Sequence, residues 1–376
     1  MNGIYLHIPF CKQKCIYCDF FSEINGSETI RNYVDALCSE LQWRKNYLPS
    51  NKIGTIYLGG GTPSLLSLAE LELIFSTIES NYIVDSNAEI TMEANPDDIH
   101  DFYAQELATT PINRISLGIQ SFEDKMLRTL NRRHSARQAI ESVETLCRHG
   151  FDNISIDLIY GLPGQDTEQW KADVNTALSL PITHLSCYSL TYEEGTPLTR
   201  MKKSGQIHEI DEEISRSMYM FLIEKMDSCG WDHYEISNFA RPGYRAKHNS
   251  GYWHCMNYLG CGPSAHSYNG VSRCWNAKQT DSYIRAKGHI EDMQEEEFLT
   301  EDIRWNEMVM VSLRTKEGID LNAFSKIFGR HSTEALLKSS QYHIDNGNLI
   351  FQDDCLRLSR QGLFVSDAVI VDLMKD

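Results

Sequence analysis

Apolar residues in the first half of the chain follow two alternating rhythms. Short, nearly continuous apolar runs at 4–8, 53–58, 88–94, 114–119, 153–159 and 184–190 read as buried strands. Between them lie longer stretches with helical spacing. Residues 28–44 carry Tyr33, Val34, Leu37 and Leu41, and 68–80, 136–148 and 167–180 behave alike. Six strand–helix units predict a parallel sheet, because parallel neighbours need crossover connections. Right-handed crossovers curl such a sheet towards a barrel. Periodicity does not choose between an open six-unit barrel and a closed eight-unit one.

The rhythm changes near residue 300. Residues 306–313, 321–328 and 333–340 read as helices. Asn346-Gly347-Asn348 reads as a turn between short strands at 342–344 and 349–351, and Arg357-Leu358-Ser359 leads on to Gly362. Three helices and a hairpin suggest a small winged-helix-like α+β module. The chain is therefore divided into 1–240, a bridging segment at 241–299, and 300–376.

Composition narrows the class. With 376 residues and 41% hydrophobic content, a full core and two or three domains are expected. No run of about 18 apolar residues is present, and the N-terminus lacks the layout of a signal peptide. A cytoplasmic protein is expected, with peripheral membrane contact left open. A net charge of −17 argues against general nucleic-acid binding, and the balanced charge of the tail argues against a DNA-reading wing.

The densest chemistry is IYLHIPFCKQKCIYCDFF, which places Cys11, Cys15 and Cys18 at C-x3-C-x2-C spacing. Three thiolates on one short loop suit three irons of a [4Fe–4S] cluster and leave the fourth iron open. A structural zinc would want four closed ligands. Eleven cysteines are too sparse and odd in number for a disulfide framework. The strand at 4–8 ends at Pro9 and delivers Cys11 beyond its C-terminal end, where α/β proteins bind ligands. Gly59-Gly60-Gly61-Thr62-Pro63 follows the second strand, and such a strip lets a ligand approach the backbone closely.

These motifs resemble the radical S-adenosylmethionine superfamily, whose cluster loop is C-x3-C-x2-C with an aromatic residue, here Tyr17, before the last cysteine. The resemblance implies an α/β fold, an open (β/α)6 partial barrel with the small C-terminal domain, and S-adenosylmethionine on the open iron. It also implies cofactor contacts from Gly60, Gly61 and Thr62. Further contacts are Glu93 in MEANP, Gln120 in LGIQSF, Arg132 in LNRRH, Asp157 in SIDLIYGLP, and Tyr5. Carboxylates would hold ribose hydroxyls, and Arg132 would hold a carboxylate through paired donors.

Within that superfamily the chain is most similar to a branch holding oxygen-independent coproporphyrinogen oxidases and heme chaperones of the HemW type. In the oxidases Tyr17, Gly61 and Gln120 lie near a second cofactor molecule. Two departures favour the chaperones. Asp19-Phe20 stands where the oxidases carry a further cysteine, and a strand starting at residue 4 leaves no room for the oxidases' N-terminal arm. The stretch 247–270, KHNSGYWHCMNYLGCGPSAHSYNG, resembles the chaperones' HNxxYW and YLGxGxxAH segments. It makes His248 a candidate heme ligand, with Tyr252 and Trp253 offering flat faces for a porphyrin. His254, Cys255, Cys261 and His266 stay open as alternatives. The implied function is binding heme and passing it to an acceptor protein, with an electron donor protein serving the cluster. The alternative is radical oxidative decarboxylation of coproporphyrinogen.

Overall fold

Six parallel strands succeed one another across the centre of the molecule: β1 (Asn2–Ile8), β2 (Lys52–Gly60), β3 (Ile83–Ala94), β4 (Arg114–Gln120), β5 (Ile154–Tyr160) and β6 (His184–Ser189). The computed structural model describes residues 2–24 and 26–375. Hydrogen bonding runs β1 to β6 in chain order, each strand parallel to the next. Helices cross over between them, including Ser27–Trp43, Leu68–Asn81, Ala136–Arg148 and Thr167–Ser179. Three of these helices begin in capping boxes: Ser67 with Glu70, Ser135 with Gln138 and Asp166 with Gln169. Each box satisfies amide groups that the first turn would otherwise leave bare. The result is the open (β/α)6 partial barrel that the resemblance implies. Ile4, Leu6, Ile8, Leu58, Ile115 and Ile156 are fully or almost fully buried in its core.

The sheet stays open because both of its edges are extended. β7 (Asp232–Glu235) and β8 (Asn238–Ala240) run antiparallel beside β6. On the other side β9 (Tyr258–Cys261) pairs parallel with β1, followed by antiparallel β10 (His266–Tyr268), β11 (Ser272–Asn276) and β12 (Gln294–Phe298). The bridging segment of residues 241–299 is thus itself built into the twelve-stranded sheet. A buried ion pair fastens it there. Arg44, at the C-terminal end of the helix Ser27–Trp43, donates to Glu40 (3.0 Å), the Gly260 carbonyl (2.8 Å) and the Ser267 hydroxyl (2.9 Å). Glu40 in turn accepts from the Gly262 amide (2.8 Å), Asn276 (3.0 Å) and the Tyr283 hydroxyl (2.6 Å). A buried pair is tolerable when its remaining donors and acceptors are satisfied in this way.

The C-terminal domain has its own core, with Trp305, Val309, Phe324, Leu336, Leu356 and Ile370 buried together. Helices Glu301–Leu313, Leu321–Phe328, Arg330–Asp345 and Ser366–Leu373 pack around the small sheet of β13 (Ile319–Asp320), β14 (Leu349–Gln352) and β15 (Cys355–Leu358). The strand expected at 342–344 is instead the end of the helix Arg330–Asp345. Asn346-Gly347-Asn348 terminates that helix: Gly347 is left-handed (φ 74°), and the amides of Gly347 and Asn348 return to the Ile344 and His343 carbonyls. The hairpin turns one strand later, at Asp353-Asp354, where both residues have positive φ. Ion pairs Lys316–Asp232 (2.9 Å), Arg245–Glu317 (2.7 Å) and Arg273–Glu307 hold this domain to the barrel sheet. Among the described residues no helix is long and apolar enough to cross a membrane.

Candidate functional site

β1 ends at Ile8, and the next residues form a loop pinned at its base. The Cys11 amide donates to the Glu23 carbonyl (2.9 Å), and the Glu23 amide donates to the Pro9 carbonyl (2.6 Å). Further out, the Ile16 amide reaches the Leu130 carbonyl (3.4 Å), and the Ile16 carbonyl accepts from the Leu198 amide (2.9 Å). Cys11, Cys15 and Cys18 all lie half-buried on this loop as free thiols. The Thr62 hydroxyl donates to Cys11 Sγ (3.4 Å), and Arg132 Nη1 donates to Cys15 Sγ (3.3 Å). Both contacts aim hydrogen-bond donors at the sulfurs of the loop. Cys18 is pushed up to about 11, first by burial and then by the nearby Cys15 and Cys11 sulfurs.

Three mutually repelling sulfurs with donors on two of them suit a cationic iron cluster. Among the described residues no three His, Cys, Asp or Glu side chains gather around one ion-sized point. Three cysteines that each hold a different iron need a wider triangle than three ligands of one ion. The donor set fits a [4Fe–4S] cluster.

The glycine strip begins inside β2, at Gly59 and Gly60, and touches the base of this loop. The Gly61 amide donates to the Ile8 carbonyl (2.8 Å). A Cβ on Gly60, whose φ is 105°, would stand 2.5 Å from the His7 ring, and one on Gly61 would stand 2.7 Å from the Phe10 carbonyl oxygen. Glu93, near the end of β3, accepts from the Tyr57 hydroxyl (2.7 Å) and the Gly60 amide (3.1 Å). Burial pushes Glu93 up to about 7 against those hydrogen bonds, with Asp157 adding repulsion. Burial likewise pushes Asp157 up to about 6, opposed by the Ser186 hydroxyl and by Arg114. Two such carboxylates at the barrel mouth are suited to a ligand that brings positive charge and hydroxyls.

Arg132 is more committed to the protein than its sequence position suggests. Besides Cys15, it donates through Nη2 to Asn95 Oδ1 (2.6 Å) and to the Gly118 carbonyl. Its buried Nε has no partner among the described residues. Asn95 passes the connection on, donating to Thr62 Oγ1 (3.2 Å). One hydrogen-bonded chain therefore runs Cys15, Arg132, Asn95, Thr62, Cys11, and it joins the loops after β1, β2, β3 and β4. Sequence reasoning did not single out Asn95, although it directly follows the Glu93-Ala94 pair in MEANP. Gln120 is buried at the end of β4 with φ 73°, beside a register shift between Gly118 and Gln120. Non-glycine residues in that region are strained, and bulges re-aim side chains next to binding sites. Tyr17 packs against Met126, Leu130, Ile159 and Leu162. The Tyr5 hydroxyl bonds His7 Nδ1 (3.1 Å).

Beside the cluster loop lies a cleft of about 500 Å³. Phe20 and Phe21 follow the third cysteine into its wall, Tyr252, Tyr258 and His266 come from the segment 247–270, and Glu307 comes from the C-terminal domain. His248 does not join them. It is buried, its Nδ1 bonds the Thr55 hydroxyl (2.8 Å) and its Nε2 bonds the Tyr252 hydroxyl (2.8 Å). Its ring also stacks on Tyr57 (5.2 Å between centroids). Both of its ring nitrogens are thus engaged by hydroxyls rather than turned to the cleft. It orients Tyr252, whose ring does line the cleft.

Residues 5–177 match the Radical SAM superfamily, and residues 288–365 match the HemN C-terminal domain. A protein named heme chaperone HemW from Lactococcus lactis is 36% identical over 91% of this chain and 91% of its own length. A Bacillus subtilis protein of the same name is 34% identical over 98% of each chain. Among solved structures, coproporphyrinogen III oxidase (HemN) from Escherichia coli superposes with a TM-score of 0.84 at 20% identity, covering 100% of this chain and 90% of that one. At that identity the likeness establishes the fold alone. The chain belongs to the radical S-adenosylmethionine superfamily, in the family of proteins named heme chaperone HemW.

Proposed function

We propose that this protein is a heme chaperone, which binds heme in the cleft beside the cluster loop and passes it to an acceptor protein. The observation that carries this reading is the cleft itself. Its walls are aromatic, and it opens between the cluster loop, the segment 247–270 and the C-terminal domain. Its volume of about 500 Å³ falls in the range of roughly 300–1,000 Å³ usual for sites that bury a cofactor-sized molecule. The names carried by full-length relatives support the same reading.

In this reading Cys11, Cys15 and Cys18 hold three irons of a [4Fe–4S] cluster, which supplies single electrons when bound. Exchangeable S-adenosylmethionine occupies the adjoining barrel mouth. Gly60 and Gly61 leave backbone room for it, Glu93 and Asp157 offer carboxylates, and Arg132 and Thr62 hold the cysteine loop in place. Tyr5, Tyr17 and Gln120 complete the surroundings. Phe20 stands where an oxidase would carry a further cysteine, two places after Cys18, so decarboxylation of coproporphyrinogen is the less favoured alternative.

Anaerobic reconstitution followed by parallel assays separates the two. The chaperone reading expects bound heme and unconverted coproporphyrinogen, even with S-adenosylmethionine and a reductant present. Protoporphyrinogen formed over many turnovers would establish the oxidase instead.

A further inference from the structure

The hairpin of β10 and β11 carries two faces of opposite character. Antiparallel pairing sets His266 opposite Trp275, Ser267 opposite Cys274 and Tyr268 opposite Arg273. Side chains alternate across a sheet, so these residues sort into two sets. Ser267, Ser272, Cys274 and Asn276 are buried on one face, where Arg44 and Glu40 bind Ser267, Cys274 and Asn276. His266, Tyr268, Arg273 and Trp275 take the other face, and the first three line the cleft.

His266 differs from the other histidines nearby. His7, also in the cleft wall, has Nδ1 on the Tyr5 hydroxyl (3.1 Å) and Nε2 on the Phe21 carbonyl (2.9 Å). His248 is saturated in the same way. His266 is solvent-exposed, and its ring nitrogens bond no described residue. Its ring stacks on Trp275 with centroids 6.0 Å apart and planes 25° from parallel. One face of the imidazole is therefore braced while both nitrogens stay available, as an axial ligand requires.

Arg273 supplies the second element. Its guanidinium pairs with the carboxylate of Glu307, on the helix Glu301–Leu313 of the C-terminal domain. A heme propionate is also a carboxylate, to which the Arg273 guanidinium can donate in place of Glu307. The ion pair spans from the barrel sheet to the C-terminal domain at the wall of the cleft.

Resting on the heme-binding reading above, we propose that His266 is the axial ligand to heme iron and that Arg273 holds a heme propionate in exchange for Glu307. Heme loading then breaks a contact between the sheet and the C-terminal domain. His248 is a positioning residue that acts through Tyr252.

The test is an absorbance titration of the full chain with hemin. His266→Gly should shift the Soret maximum and weaken binding by at least about tenfold, and added imidazole should restore the original band. Cys255→Ser should leave the band in place. Arg273→Gln should weaken hemin binding, whereas Glu307→Gln should strengthen it by removing the competing carboxylate. Thermal unfolding of each variant separates these effects from loss of fold. An unshifted band in His266→Gly, or a shift in Cys255→Ser alone, would overturn the ligand assignment. Weaker binding in Glu307→Gln would overturn the propionate exchange. Hemin that fails to bind the unaltered protein would instead remove the heme-binding reading on which both rest.

Discussion

Arg132 Nη1 lies 3.3 Å from Cys15 Sγ while Nη2 of the same guanidinium lies 2.6 Å from Asn95 Oδ1. One side chain thus braces the cluster loop against the end of β3. Arg132→Ala removes a charge-assisted hydrogen bond, an interaction type worth about 1.5–3 kcal/mol. We expect the unfolding midpoint to drop and less cluster to be retained per chain after anaerobic reconstitution. Arg132→Lys keeps the charge but loses the fork, and should recover only part of the loss. Wild-type cluster content in both variants would show that the contact is incidental.

Each of Cys11→Ala, Cys15→Ala and Cys18→Ala should abolish the absorption and paramagnetic signals of a [4Fe–4S] cluster. Cys38→Ala and Cys187→Ala should retain them, because those thiols are buried in the core away from the loop. An intact cluster in Cys15→Ala would contradict the assignment.

Glu93 predicts a pH dependence with a definite sign. Its folded-state value of about 7 lies above the ordinary carboxylate value of 4.5. The folded chain therefore binds more protons than the unfolded chain between those limits. Stability of the ligand-free protein should fall as pH rises from 4.5 to 7, because ionising a buried carboxylate opposes folding. Binding of the cationic S-adenosylmethionine should show the reverse trend and weaken as pH drops below about 7. Calorimetry across that window checks both slopes, and Glu93→Gln should flatten them. Identical slopes in the variant would assign the titration elsewhere.

His248→Phe leaves the Thr55 and Tyr252 hydroxyls without their shared partner. Unsatisfied buried groups cost about 1–3 kcal/mol each. Chemical denaturation should report a loss of that order, with the Soret position of any bound heme preserved. A displaced band at unchanged stability would return His248 to the role of iron ligand.

Much of the barrel was legible because local signals agreed with one another. All six core strands announced themselves as apolar runs, and the helices at 68–80, 136–148 and 167–180 by their apolar spacing. The edges were not legible. β9 to β12 are three to five residues long, and their attachment depends on Arg44 meeting residues more than 200 positions away. Asn346-Gly347-Asn348 suits a hairpin turn and a helix end equally well, and the packing of Leu336 and His343 against the domain decided for the helix.

The site divides along the same line. Cys11, Cys15 and Cys18 were readable as a candidate site from their spacing, and the glycine strip from its resemblance to the superfamily's segment. The commitment of Arg132 to Asn95, and of His248 to two hydroxyls, arises from hydrogen bonds between distant loops that no spacing encodes.

Titration of the anaerobically reconstituted full chain with hemin tests the central claim most directly. The account predicts a saturable Soret band at one heme per chain, from a porphyrin seated in the cleft between the cluster loop and the C-terminal domain. Absorbance that rises without saturation, as free hemin would give, would contradict it.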